Sequence, residues 1–239
     1  MPKCQMPDKN EFTAHFFHSI DSNNRNWPDV INIISIDPGI RNLAIRVESR
    51  PVRKDVISPI KTLIFDKLRI SENDRKMEEN IDKLYFLVSQ FLDQYLSIFK
   101  TCHMLIIERQ LPMNLKATRI AQHIISYFML HLKDIIPSLP MIFEIDAKLK
   151  GRELGASTHL NERGIKQWSI DYCKILLVKR QDYEGLEILE KHKRKADDVA
   201  DTLVQIEAFF SFQGWPLTKE VVKLKILKAK TLKLNVVSN

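Results

Sequence analysis

Cysteine is scarce: the 239-residue chain has three, Cys4, Cys102 and Cys173, far apart in sequence. An odd number at such spacing excludes a disulfide framework and leaves no CxxC pair for structural metal or redox chemistry. An intracellular, reducing compartment is the expected setting. Glycine is scarce too, with six residues in all, and none of them builds a convincing glycine-rich phosphate loop. No run of about 18 apolar residues exists, so no membrane-spanning helix and no membrane partner are expected. The first thirty residues hold Asp8, Glu11 and Asp21 and no continuous apolar segment, which argues against a secretory signal or an acid-poor presequence. Negative charge is in deficit. Thirty Asp and Glu face 37 Lys and Arg, a formal charge of +7, which suits a polyanionic partner without naming it.

What is present is enough for one substantial core, since 44% of the residues are hydrophobic. Residues 1–30 are polar and irregular, and end in the turn formers Ser22 to Asp29; they read as an N-terminal extension. The domain is expected over 31–214. Ile33-Ile34-Ser35-Ile36 is a β-branched run, broken by Asp37-Pro38-Gly39 and resumed at Leu43 to Val47, which predicts a strand, a tight connection and a second strand. Thr62 to Phe65 supplies a third. Helical spacing of apolar residues marks Met77 to Phe99, Leu115 to Lys133, Glu162 to Lys179 and Ala196 to Phe212. Short apolar runs at Met104 to Ile107 and Pro140 to Ile145 read as buried strands. Three strands followed by alternating helix and strand indicate an α/β fold, a mixed central sheet of about five strands flanked by helices. After Gly214-Trp215-Pro216 comes a Lys-rich tail, 215–239, either solvated or a cationic arm for phosphates.

Three acidic features could carry chemistry. Asp37 stands where a buried strand meets a bend, a place that a turn-forming Asp also favours. Glu108 ends an apolar strand, where an acid is costly without a cation or hydrogen bonds; pairing with adjacent Arg109 is the plain alternative. Asp197, Asp198 and Asp201 share a helix, with Asp198 and Asp201 neighbours on one face, as are Asp197 and Asp201. Acids in a first turn also favour the helix dipole, which accounts for Asp197 and Asp198 better than for Asp201. Hydrolysing a phosphodiester at neutral pH needs an activated water and relief of charge, which two Mg²⁺ ions held by several converging carboxylates supply.

Ile36-Asp37-Pro38-Gly39-Ile40-Arg41-Asn42-Leu43-Ala44, Ile106-Ile107-Glu108-Arg109-Gln110 and Lys195-Ala196-Asp197-Asp198-Val199-Ala200-Asp201-Thr202-Leu203 together resemble the RuvC-type Holliday junction resolvases, in the branch found in poxviruses and other large DNA viruses. The resemblance implies a ribonuclease-H-like fold and a homodimer that nicks a four-way DNA junction symmetrically, in recombination, replication and the processing of genome concatemers. It implies Mg²⁺ as cofactor, two ions per site with Mn²⁺ able to substitute, and no small-molecule cofactor. Asp37, Glu108, Asp198 and Asp201 would be the metal ligands, with Asp197 as the register alternative. A basic residue facing the scissile phosphate matches Lys148 best, with Lys150 as rival. Lys150, Arg152, Lys166, Lys193, Arg194 and Lys195 are expected to contact DNA. For a viral source the setting would be the host-cell cytoplasm or nucleus where viral DNA is replicated; a fungal mitochondrial resolvase is the other origin considered. A ribonuclease H or transposase-like nuclease on the same fold and a non-catalytic junction-binding protein are the competing readings.

Overall fold

The structure is a computed structural model, and it describes residues 15–16, 27–56, 58–69, 80–132, 141–192 and 195–218. Strands β1 (His15–Phe16), β2 (Val30–Pro38), β3 (Asn42–Pro51), β4 (Lys61–Arg69), β5 (Met104–Glu108) and β6 (Met141–Ile145) form one sheet in the order β1-β6-β5-β2-β3-β4. β2, β3 and β4 are an antiparallel meander, while β5 runs parallel to both β2 and β6. The predicted mixed sheet of about five strands is therefore present, with the two-residue β1 added antiparallel on the β6 edge.

The helices are α1 (Ile81–Asp93), α2 (Leu96–Phe99), α3 (Leu115–Leu132), α4 (Lys148–Leu154), α5 (Glu162–Arg180), α6 (Tyr183–Lys191) and α7 (Ala196–Phe212). Strand side chains alternate between faces, and each face has its own core. Ile34, Ile36, Leu105 and Ile107 pack with Leu84, Phe99, Ile124 and Phe128 under α1, α2 and α3. Ile31, Ile33, Ala44 and Ile106 pack with Val199, Leu203, Ile206 and Phe210 of α7 on the other face. Two helical layers around a mixed sheet bury a domain of this size on both sides.

α7 is buried nearly all round rather than along one stripe. It lies over the middle of the sheet, between α4 and α5 and the strands β2 and β3. Trp215 and Leu217 pack on the α7-side core, and Pro216 accepts a hydrogen bond from Arg50. The remainder of the Lys-rich tail, from Lys219, lies outside the described residues, as do Lys193 and Arg194 and most of residues 1–30. Two short helices, α4 and α6, occupy segments whose composition did not announce them. Among the described residues no helix is long and apolar enough to cross a membrane.

Candidate active site

Two strands and one helix supply the acids. Ile36 lies opposite Ile107 in the parallel β2–β5 ladder, so Asp37 and Glu108 stand at one level, at the C-terminal ends of neighbouring strands. Period-two alternation turns both toward α7, because Ile33 and Ile106 already face that core. Asp198 and Asp201 come down from the first turns of α7 one turn apart. The Asp37 carboxyl is held well above the usual carboxylate range, by burial first and then by the charges of Glu108 and Asp201, with a smaller push from Asp198.

Lysines hold this cluster. Lys150 Nζ lies 3.1 Å from Glu108 Oε2 and 2.6 Å from Asp201 Oδ2, with its side chain 6% exposed. Burial would lower its pKa, but Glu108, Asp201 and Asp37 raise it, so the ammonium stays charged. Lys67 Nζ lies 2.8 Å from Asp198 Oδ2 and also donates to the Lys195 carbonyl at 2.9 Å. It reaches Asp198 because Asp37, Ala44 and Lys67 form one row across β2, β3 and β4, and the small Ala44 side chain between them leaves room. Burial raises the Asp198 pKa, and Lys67 opposes the rise.

A second set of contacts fixes the acids from behind. Ser169 of α5 donates to Asp201 Oδ1 at 2.5 Å. Gln205 Nε2 donates to Glu108 Oε2 at 2.8 Å, and its Oε1 accepts from Ser35 at 3.0 Å. Ser35 and Gln205 are both buried. Glu108, Asp198 and Asp201 are thus each restrained by a neutral donor or a lysine, as buried or half-buried acids require.

The sequence-predicted residues sort as follows. Glu108 does not pair with Arg109, which reaches Asp146 at 3.2 Å instead. Asp197 lies 3.6 Å from Lys166 rather than on Lys67 or Lys150, and its charge helps to raise the Asp198 pKa. Lys148 is exposed, and only its backbone amide is fixed, by Asp146. Lys150 is the lysine turned into the acids, because α4 starts at Lys148 and rotates the chain inward two residues later. Arg152 pairs with Glu153 at 3.2 Å, Lys166 pairs with Glu162 at 3.3 Å, and Lys195 is exposed at the start of α7. Lys67, Ser169, Gln205 and Ser35 were not anticipated. Gln205 had a signal, since Asp198, Asp201 and Gln205 follow i, i+3, i+7 on one helix face.

Four carboxylates are hard oxygen donors of the kind Mg²⁺ prefers. Less the two lysines they carry a formal charge of −2, which matches one divalent ion. Among the described residues no three acidic, histidine or cysteine side chains converge closely enough to share an ion as they stand. The donors fit such an ion in type and in charge, and what stands between Glu108 and Asp201 is the Lys150 ammonium.

No family model matches the chain. A curated relative, the uncharacterized protein 97L of Invertebrate iridescent virus 3, is 26% identical over 151 residues, 62% of this chain and 67% of that protein. The yeast mitochondrial Holliday junction resolvase Ydc2 superposes with a TM-score of 0.55 at 14% identity, covering 80% of this chain and 84% of that one. The fold is ribonuclease-H-like. Thermus thermophilus RuvC in complex with a Holliday junction substrate aligns at a TM-score of 0.41 and 13% identity, over 77% of this chain and 96% of that one. On this fold the C-terminal ends of β2 and β5 and the start of α7 are where the acidic cluster of the present chain lies.

Proposed function

We propose that this chain is a divalent-metal-dependent endonuclease that resolves four-way DNA junctions by paired symmetric nicks, acting as a homodimer. The observation that supports the reading is a buried lysine, Lys150, bridging Glu108 and Asp201 beside Asp37 at the ends of neighbouring strands, with Lys67 on Asp198 next to them. Asp37, Glu108, Asp198 and Asp201 would hold Mg²⁺, or Mn²⁺ in its place, with two ions as the full complement. Bound there, the metal would lower the pKa of an attacking water and relieve charge on the phosphate. The residues of the chain do the remaining work. Gln205 and Ser169 hold Glu108 and Asp201 in place, Lys67 anchors the start of α7, and Lys150 supplies a cation beside the acids. The exposed Lys166 and Lys195 and the half-exposed Arg152 would contact phosphates, which positions a duplex without reading its bases. A dimer provides two such sites, one for each strand to be nicked. The likeness to an iridescent-virus protein supports a setting in large-DNA-virus replication, in host cytoplasm or nucleus, where branched and concatemeric DNA must be resolved.

The test offers the purified protein a four-way junction, a linear duplex of the same sequence and an RNA:DNA hybrid, with Mg²⁺, with Mn²⁺ and with chelator. Paired nicks confined to the junction and lost with chelator are expected. Cutting of the hybrid instead would move the function to a ribonuclease H. Metal-independent junction binding without cleavage would make the chain a non-catalytic binding protein.

A further inference from the structure

The two lysines of the site are held differently. Lys67 divides its contacts between a carboxylate, Asp198, and a backbone carbonyl, that of Lys195. Lys150 has contacts to two carboxylates, Glu108 and Asp201. A divalent ion ligated by Glu108 and Asp201 would leave Lys67 with its carbonyl partner and take from Lys150 both of these oxygens. A buried ammonium beside a divalent cation, stripped of both counter-charges, is strongly unfavourable. It must therefore leave or weaken the ion's binding.

We propose that Lys150 is the built-in counter-cation of the metal-free site and competes with the divalent ion for Glu108 and Asp201, so that metal loading displaces its ammonium while Lys67 stays in place. The inference rests on the metal-binding reading above and assigns one residue within it. Its consequence is a change of charge. With both lysines seated the four acids carry a formal charge of −2, that of one divalent ion, and release of Lys150 raises it to −3, which strengthens the site's hold on divalent charge. The freed ammonium, on a seven-residue helix beside the cluster, is then available to an oxygen of the substrate phosphate, whose charge replaces that of the lost carboxylates. One residue would thereby hold the acids together in the resting protein and receive the substrate in the loaded one.

The experiment is a titration of the full chain with Mn²⁺ alone, free Mn²⁺ being read by its paramagnetic resonance signal. Lys150→Met should bind Mn²⁺ at least about tenfold more tightly than wild type, as removal of one positive charge a few ångströms from the ion requires. Lys150→Gln, which keeps a donor to the carboxylates but no charge, should do the same. Lys150→Arg, which keeps the charge, should not, and Lys174→Met, an equal loss of charge at an exposed position of α5, should leave affinity within twofold. A measurement on wild type stands independently of these variants. Mg²⁺ should shift the Lys150 side-chain Cε and Nζ resonances and leave those of Lys67 nearly unmoved. Equal Mn²⁺ affinity in wild type, Lys150→Met and Lys150→Gln, or an unmoved Lys150 resonance at saturating Mg²⁺, would overturn the proposal while leaving the metal site standing. Absence of Mn²⁺ binding in every protein, with Asp37→Asn no different from wild type, would overturn the metal-site reading itself and this proposal with it.

Discussion

Replacing Glu48 by glutamine should destabilise the protein by about 3 kcal/mol, although the substitution is nearly isosteric. Glu48 is fully buried on β3; its Oε1 lies 2.5 Å from Arg46 Nε and 2.6 Å from Arg180 Nη1, and its Oε2 lies 3.5 Å from Arg50 Nη1. Arg50 and Arg180 also share Glu207, and Arg46 reaches Asp182 at 3.1 Å. Three guanidinium groups are thus neutralised by three acids, and the variant leaves one of those charges uncompensated. Losing one partner of a buried ion pair costs about 3–5 kcal/mol, more than such a pair contributes over an apolar substitute. A second route gives a similar figure. Burial alone would raise the Glu48 pKa, but Arg180, Arg46 and Arg50 bring it from 4.5 down to about 2, a shift worth about 3 kcal/mol at roughly 1.4 kcal/mol per unit. Because the folded pKa is the depressed one, this stability is fully present above pH 4.5 and is lost as pH falls through about 2. Urea unfolding of wild type and Glu48→Gln at pH 7 measures the difference, and its shrinkage between pH 4.5 and 2 checks the cause. Asp55→Asn, which breaks the exposed pair with Arg53, should leave the midpoint unchanged. A Glu48→Gln loss below about 1 kcal/mol at pH 7 would refute the argument that the buried charges are mutually required.

Gly39→Ala should lower stability by about 1–3 kcal/mol and abolish junction cleavage, because a Cβ there would meet the Asn42 carbonyl oxygen at 2.1 Å, in the turn that aims Asp37; thermal unfolding reads the first effect, and an unchanged melting temperature would contradict it. Gln205→Leu strips Ser35 and Glu108 of a partner each, and an unsatisfied buried group costs about 1–3 kcal/mol. The loss should be visible by urea unfolding in the absence of metal, and added Mg²⁺ should recover part of it by giving Glu108 a new partner.

What the sequence disclosed and what it hid have physical reasons. Asp37 and Glu108 drew notice because each interrupts or ends an apolar strand run, although turn formation and pairing with Arg109 were ordinary explanations for them, and it was the three acidic segments in their order that pointed to a site. Helical spacing set Asp201 beside both Asp197 and Asp198, and the resemblance to the resolvases chose Asp198; the bounds of α7 agree with the periodicity because the basic run Lys191 to Lys195 precedes it and Gly214-Trp215-Pro216 follows it. β3 misled in the opposite way. Arg46, Glu48 and Arg50 alternate with apolar residues like the solvent face of an edge strand, yet they face α7 and are wholly buried. Their counter-charges, Arg180, Asp182 and Glu207, are more than a hundred residues away, and no local pattern reports a pairing at that distance. Lys67 was hidden for the same reason, since only the β2–β3–β4 register sets it beside Asp198. The choice between Lys148 and Lys150 depended on where a seven-residue helix begins, and helices that short have weak start signals.

The central claim is that the four acids form a metal-dependent centre for cutting junction DNA, and Asp37→Asn tests it most directly. Asn keeps the size and the turn geometry and removes one negative charge from the cluster. Single-turnover cleavage of a labelled four-way junction in Mg²⁺ by wild type and variant should show paired nicks for the first and none for the second, while both bind the junction with affinities within a few-fold. A variant that still cuts at the wild-type rate would contradict the account.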